Sequence, residues 1–102
     1  MAKKLVVWTQ TAAKQRREIL KYWTLRNKST KYAEKLISVI NTRIETIEKN
    51  NKIGKLTDFK DTRAIALGHF SIFYKITPTK IIITAFWDNR QNPKSLLRLI
   101  SK

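Results

Sequence analysis

The chain has 102 residues, with 22 Lys and Arg against seven Asp and Glu, a formal net charge of +15, two Gly, two Pro and no Cys. That length holds one domain, residues 1–102, and the missing Cys removes disulfide scaffolds, thiolate nucleophiles and the usual zinc motifs. The charge exceeds the roughly 2 to 8 that keeps a small domain soluble and runs along the whole chain, so it implies a folded basic surface facing an acidic macromolecule.

Leu5-Val6-Val7-Trp8 is a β-branched and aromatic run that reads as a strand. It is too short for a signal peptide or a membrane span, so a cytoplasmic location is expected. Four consecutive apolar positions predict a place inside a sheet rather than at its edge, paired with a later strand. Thr9-Gln10-Thr11 suits a helix cap, and from Ala12 to about Arg26 the residues Ala12, Ile19, Leu20 and Trp23 share one helical face. Asn27-Lys28-Ser29 interrupts, and Ser29 or Thr30 caps a second helix. There Ala33, Leu36, Ile37, Ile40, Ile44 and Ile47 recur at intervals of three and four. Asn50, Asn51 and Gly54 are expected to stop that helix through the left-handed backbone region.

After Gly54 the period changes to two. Residues 63–67 and 70–76 read as strands joined at Gly68-His69, Thr77-Pro78-Thr79-Lys80 reads as a turn, and residues 81–87 read as a further strand. Tight connections make these three antiparallel. A last helix from Pro93 to Ile100 would bury Leu96, Leu97 and Ile100. The order β-α-α-β-β-β-α predicts an α+β fold, a small antiparallel-rich sheet with a helical hairpin packed on one face.

Groups that titrate near neutral pH are scarce: one histidine and seven carboxylates, without a Ser-His-Asp pattern, a phosphate-cradling glycine loop or metal-ligand spacing. No cofactor, metal or small-molecule substrate is expected. One reaction needs little of that equipment, namely cleavage of RNA by its own 2′-hydroxyl, with cations stabilising the phosphorane and a His, Tyr or Lys moving protons. Its candidates are Arg63, His69, Tyr74, Lys75 and Arg90. Read by themselves, His69 is a turn histidine, Tyr74 a core ring with its hydroxyl at the margin, and Arg63 and Arg90 guanidinium groups at strand ends.

Trp8-Thr9 before the first helix, Thr62-Arg63 opening a strand, the run from Gly68 to Ile76, and Trp87-Asp88-Asn89-Arg90-Gln91-Asn92-Pro93 occur in an order that resembles the RelE/ParE superfamily of type II toxin-antitoxin toxins. The resemblance implies a growth-inhibiting protein silenced by a cognate acidic antitoxin. Its target would be messenger RNA on the ribosome in the RelE branch or DNA gyrase in the ParE branch. For RNA cleavage it points to Arg90, with Arg63 and Lys60 as looser counterparts. The RelE pattern, however, has an arginine where Ser71 stands and a tyrosine where Leu96 stands. The spacing from Gly68 to Tyr74 and from Arg90 to Pro93 is similar to the ParE pattern. That implies action by binding a gyrase-like target, with Arg63, His69, Lys75, Asn89 and Arg90 facing the target or the antitoxin. The alternatives are a RelE-type endonuclease and a non-toxic basic nucleic-acid-binding module. The platform expected is a helical pair across four strands, offering Arg63 and Arg90 together at its rim.

Overall fold

A computed structural model describes residues 4–91. The helix expected over 93–100, with Leu96, lies outside them. The short apolar run at the N-terminus forms β1 (Leu5–Trp8), and Thr9 then caps α1 (Gln10–Asn27), its hydroxyl accepting from the Ala12 N–H at 3.1 Å. The helix ends with Lys28 in the left-handed region (φ 51°), an uncommon conformation for a residue with a side chain. The isoleucine-rich α2 (Lys31–Lys49) follows, with Ala33, Leu36, Ile40 and Ile47 buried. No helix among the described residues is long and apolar enough to cross a membrane.

The four remaining strands are β2 (Lys55–Leu56), β3 (Arg63–Leu67), β4 (Phe70–Ile76) and β5 (Lys80–Asp88). They form one five-stranded sheet in the order β1-β5-β4-β3-β2, antiparallel throughout except for the parallel pair β1–β5. The β-α-α-β-β-β order and the antiparallel run hold as read from the sequence. Some details differ. The first strand lies at an edge, because the centre belongs to the longer β4 and β5, whose residues fill both faces, while Leu5 stays 62% exposed. A two-residue strand, β2, extends the other edge. Asn50, Asn51 and Gly54 do not enter the left-handed region; the Asn51 side-chain amide instead donates to the free carbonyls of Ile47 (2.8 Å) and Glu48 (3.4 Å).

The main core lies between the helices and one sheet face, where Ala12, Leu36, Ile40 and Ile47 meet Phe70, Ile72, Tyr74, Ile81, Ile83 and Phe86. A smaller cluster of Phe73, Ala85 and Trp87 covers the opposite face, closed by Phe59, whose ring meets Phe73 edge-on at 5.9 Å. The register of β5 shifts along its length: Tyr74 pairs with Ile83 but Phe73 pairs with Ala85, leaving Thr84 as the extra residue of a bulge. Inward-facing positions therefore run Ile81, Ile83, then Phe86. Beyond the end of β1, whose pairing stops at Ile83, the Phe86 N–H is satisfied from α1, by the Gln15 side-chain oxygen at 2.9 Å. Ile37, expected on the inner face of α2, is 43% exposed beside Leu36, at the margin of the helical stripe.

Candidate functional site

The residues singled out from the sequence divide between two ends of the β3–β4 ladder. Arg63 pairs with Tyr74 at one end, whereas Leu67, Phe70 and Asp88 are neighbours at the other, and Arg90 lies two residues beyond Asp88. Four residues of strand separate these ends, about 13 Å before side chains are added. The shared rim expected for Arg63 and Arg90 is therefore not formed.

At the Arg63 end, chemistry is turned inward. The Tyr74 ring is wholly buried; its hydroxyl donates to the Asn51 carbonyl at 2.8 Å and accepts from the Gly54 N–H at 2.9 Å. Burial pushes its pKa above the usual tyrosine value, opposed by the Gly54 hydrogen bond and by the Arg63 charge. One terminal nitrogen of Arg63 donates to the Gly54 carbonyl at 2.8 Å and the Lys52 carbonyl at 3.3 Å, tying down the connection between α2 and β2. Gly54 is demanded here by closeness: a Cβ would stand 2.7 Å from the Tyr74 hydroxyl. Lys60 and Lys75 are exposed, and the Lys60 carbonyl accepts from the Thr62 hydroxyl.

The other end faces outward. The Asp88 carboxylate grips Arg90 at both oxygens, at 2.9 Å to Nε and 2.8 Å to a terminal nitrogen, and also accepts the Arg90 backbone N–H. That hydrogen bonding holds the Asp88 pKa below the usual carboxylate value against its partial burial, with Coulombic help from Arg90 and His69, and it raises that of Arg90. His69 is exposed in the turn between β3 and β4, its carbonyl accepting from the Asn89 N–H, while the Asn89 side chain accepts from the Ser71 hydroxyl. His69, Asn89 and Arg90 are thus brought together, apart from Lys60, Arg63 and Lys75.

Beside Arg90 opens a cleft of about 690 Å³ between α1 and the end of β5. Trp23 lines it, with the guanidinium groups of Arg26 and Arg90 each 5.7 Å from a Trp23 ring and the Tyr22 and Tyr32 rings at 5.2 and 5.1 Å. Such stacking orients both cations without removing their charge. The sequence groups Trp23 with Ala12, Ile19 and Leu20 on one helical face, and Tyr22, Arg26 and Tyr32 are not among the candidate site residues. Tyr22, Trp23 and Arg26 share one helix, and a Tyr or Trp followed within four residues by Arg was the signal available; Tyr32 and Arg90 reach them only through the fold. The arrangement provides an exposed cationic and aromatic surface, and the carboxylates of Glu18 and Asp88 also line the cleft.

The ParE toxin of type II toxin-antitoxin system, parDE, is the family whose model matches this chain, over residues 6–93. Among solved structures, a chain of the chromosomal ParDE toxin-antitoxin system from P. aeruginosa superposes with a TM-score of 0.70 at 18% identity, covering 82% of this chain and 94% of that one, a likeness of fold. No curated protein matches the chain significantly.

Proposed function

The chain belongs to the ParE family of toxins of type II toxin-antitoxin systems, and from that premise we propose that it arrests growth by binding DNA gyrase and that a cognate acidic antitoxin neutralises it. The observation that carries binding over cutting is the separation of the groups a nuclease would need. The Tyr74 hydroxyl is engaged inside the core, Arg63 is engaged with two backbone carbonyls, and Arg90 sits at the opposite strand end in the grip of Asp88. Proton transfer requires a group within hydrogen-bond reach of the reacting atom, and a phosphate at Arg90 would have only His69 near it among the candidates. Recognition asks less: exposed Arg, Tyr and Trp side chains held in fixed orientation are what macromolecular contacts use.

The antitoxin reading rests on charge and on an exposed aromatic ring. A surface of net charge +15 accelerates encounter with an acidic segment, and Tyr22, 54% exposed at the cleft between α1 and β5, is an anchor suited to the apolar face of an amphipathic helix. The test is a supercoiling assay with purified gyrase, run beside primer extension on messages from cells expressing the chain. Inhibited supercoiling with intact messages is expected, relieved by a co-expressed acidic partner that co-purifies. Cuts within translated codons, abolished by Arg90→Ala, would establish the nuclease reading instead, and healthy growth on expression alone would leave a basic binding module.

A further inference from the structure

Beyond its protein target, the chain carries a second surface of strong and uniform charge. Lys14, Arg17 and Lys21 follow one another on α1 at spacings of three and four, which places them in one row. Lys28, at the cap of the helix, continues the row, so that four cations span about 20 Å. All four are exposed, and none makes a side-chain hydrogen bond or an ion pair among the described residues, where Arg90–Asp88 is the one salt bridge. The row lies opposite the buried side of α1 at Ala12, Ile19 and Trp23. Glu18 is the carboxylate beside it and pairs with none of the four.

We propose that this outer row of α1 binds the phosphate backbone of duplex DNA, independently of the gyrase reading. Four unpaired cations on a rigid rod match a regular array of phosphates, and binding would release the condensed counterions. The row carries no aromatic residue on which an unstacked base could lie, which argues against single strands. Its one apolar residue, Leu25, is too little for a helix that embeds in a lipid surface. The wide major groove of B-form DNA admits a helix, whereas the deep, narrow groove of A-form RNA does not.

The experiment is fluorescence anisotropy of the purified full-length chain with a labelled mixed-sequence DNA duplex across a salt series. Four phosphate contacts give a slope of log affinity against log salt of about −3.6, and affinity falls about 150-fold between about 50 and 200 mM salt. Arg17→Gln with Lys21→Gln should bring the slope to about −1.8. Lys55→Gln with Lys80→Gln, which removes equal charge from exposed positions in the sheet layer, should leave it unchanged. Circular dichroism confirms that each variant is folded. Equal slopes in both double variants, or equal or tighter binding to single-stranded DNA, duplex RNA or phosphatidylserine vesicles, would overturn the proposal. Because gyrase is absent from the assay, its outcome is separate from that of the supercoiling test.

Discussion

Gly54→Ala tests how the sheet and the α2–β2 connection are locked together. A methyl group at this position would stand 2.7 Å from the Tyr74 hydroxyl, 2.9 Å from its ring carbon Cε1 and 3.0 Å from the Ala64 carbonyl oxygen. The tyrosine ring is 0% exposed and the carbonyl is backbone in β3, so neither can retreat cheaply. Overpacking of this kind costs about 1–3 kcal/mol. Displacing the ring would also lengthen the bonds that its hydroxyl makes to Gly54 and Asn51, each worth about 1 kcal/mol. The expected loss is about 3 kcal/mol, or about 12–24 °C in Tm for a domain of this size. Tyr74→Phe alone leaves a buried N–H and a carbonyl without their partner and should cost about 2 kcal/mol. In the double variant the nearest atom in the clash is gone while the ring carbon and the Ala64 oxygen remain, so the total should be about 3–4 kcal/mol, not the sum of about 5. Urea unfolding followed by tryptophan fluorescence measures all four corners of the cycle. Additivity within about 0.5 kcal/mol would refute the idea that Gly54 is dictated by the tyrosine hydroxyl.

Two further outcomes concern α1 and the Arg90 corner. Gln15→Leu removes the acceptor for the Phe86 N–H in β5, and equilibrium unfolding should show a loss of about 1–3 kcal/mol, with faster amide exchange at Phe86 and Trp87. Asp88 has a folded-state pKa below its unfolded value, so the unfolded chain takes up this proton first as pH falls. Its stabilising effect is complete above the unfolded pKa and fades as pH drops through the folded one. Asp88→Asn should therefore flatten the acid limb of a stability profile below about pH 4; an unchanged limb would mean that the Arg90 contact is not maintained in solution.

Local signals carried much of the architecture. The isoleucine repeat of α2, the Thr9 cap and the β-rich runs at 70–76 and 81–87 each express a choice made within a few residues, by helical periodicity, by satisfaction of an orphan N–H, or by strand alternation. Tyr74 as a core ring followed from its alternation with Phe70 and Ile72. Alternation failed along β5, where the bulge at Thr84 moves Phe86 to the helix side and sends Ala85 and Trp87 to the opposite face. A bulge is set by the register against the partner strand β4, which is not written into residues 81–87.

Composition and order alone determined a basic α+β chain with two helices ahead of three antiparallel strands, and the kinship that its Gly68-to-Tyr74 and Arg90 spacings imply. Those are properties of neighbours in the chain, where dihedral preference and side-chain period act directly. Tertiary structure decided that β1 takes an edge beside β5, that Arg63 and Arg90 stand at opposite strand ends, and that Trp23 gathers Arg26, Arg90 and Tyr32 at one cleft. Each of these joins residues distant in sequence, and their meeting is fixed by strand register and helix packing, which no local preference encodes.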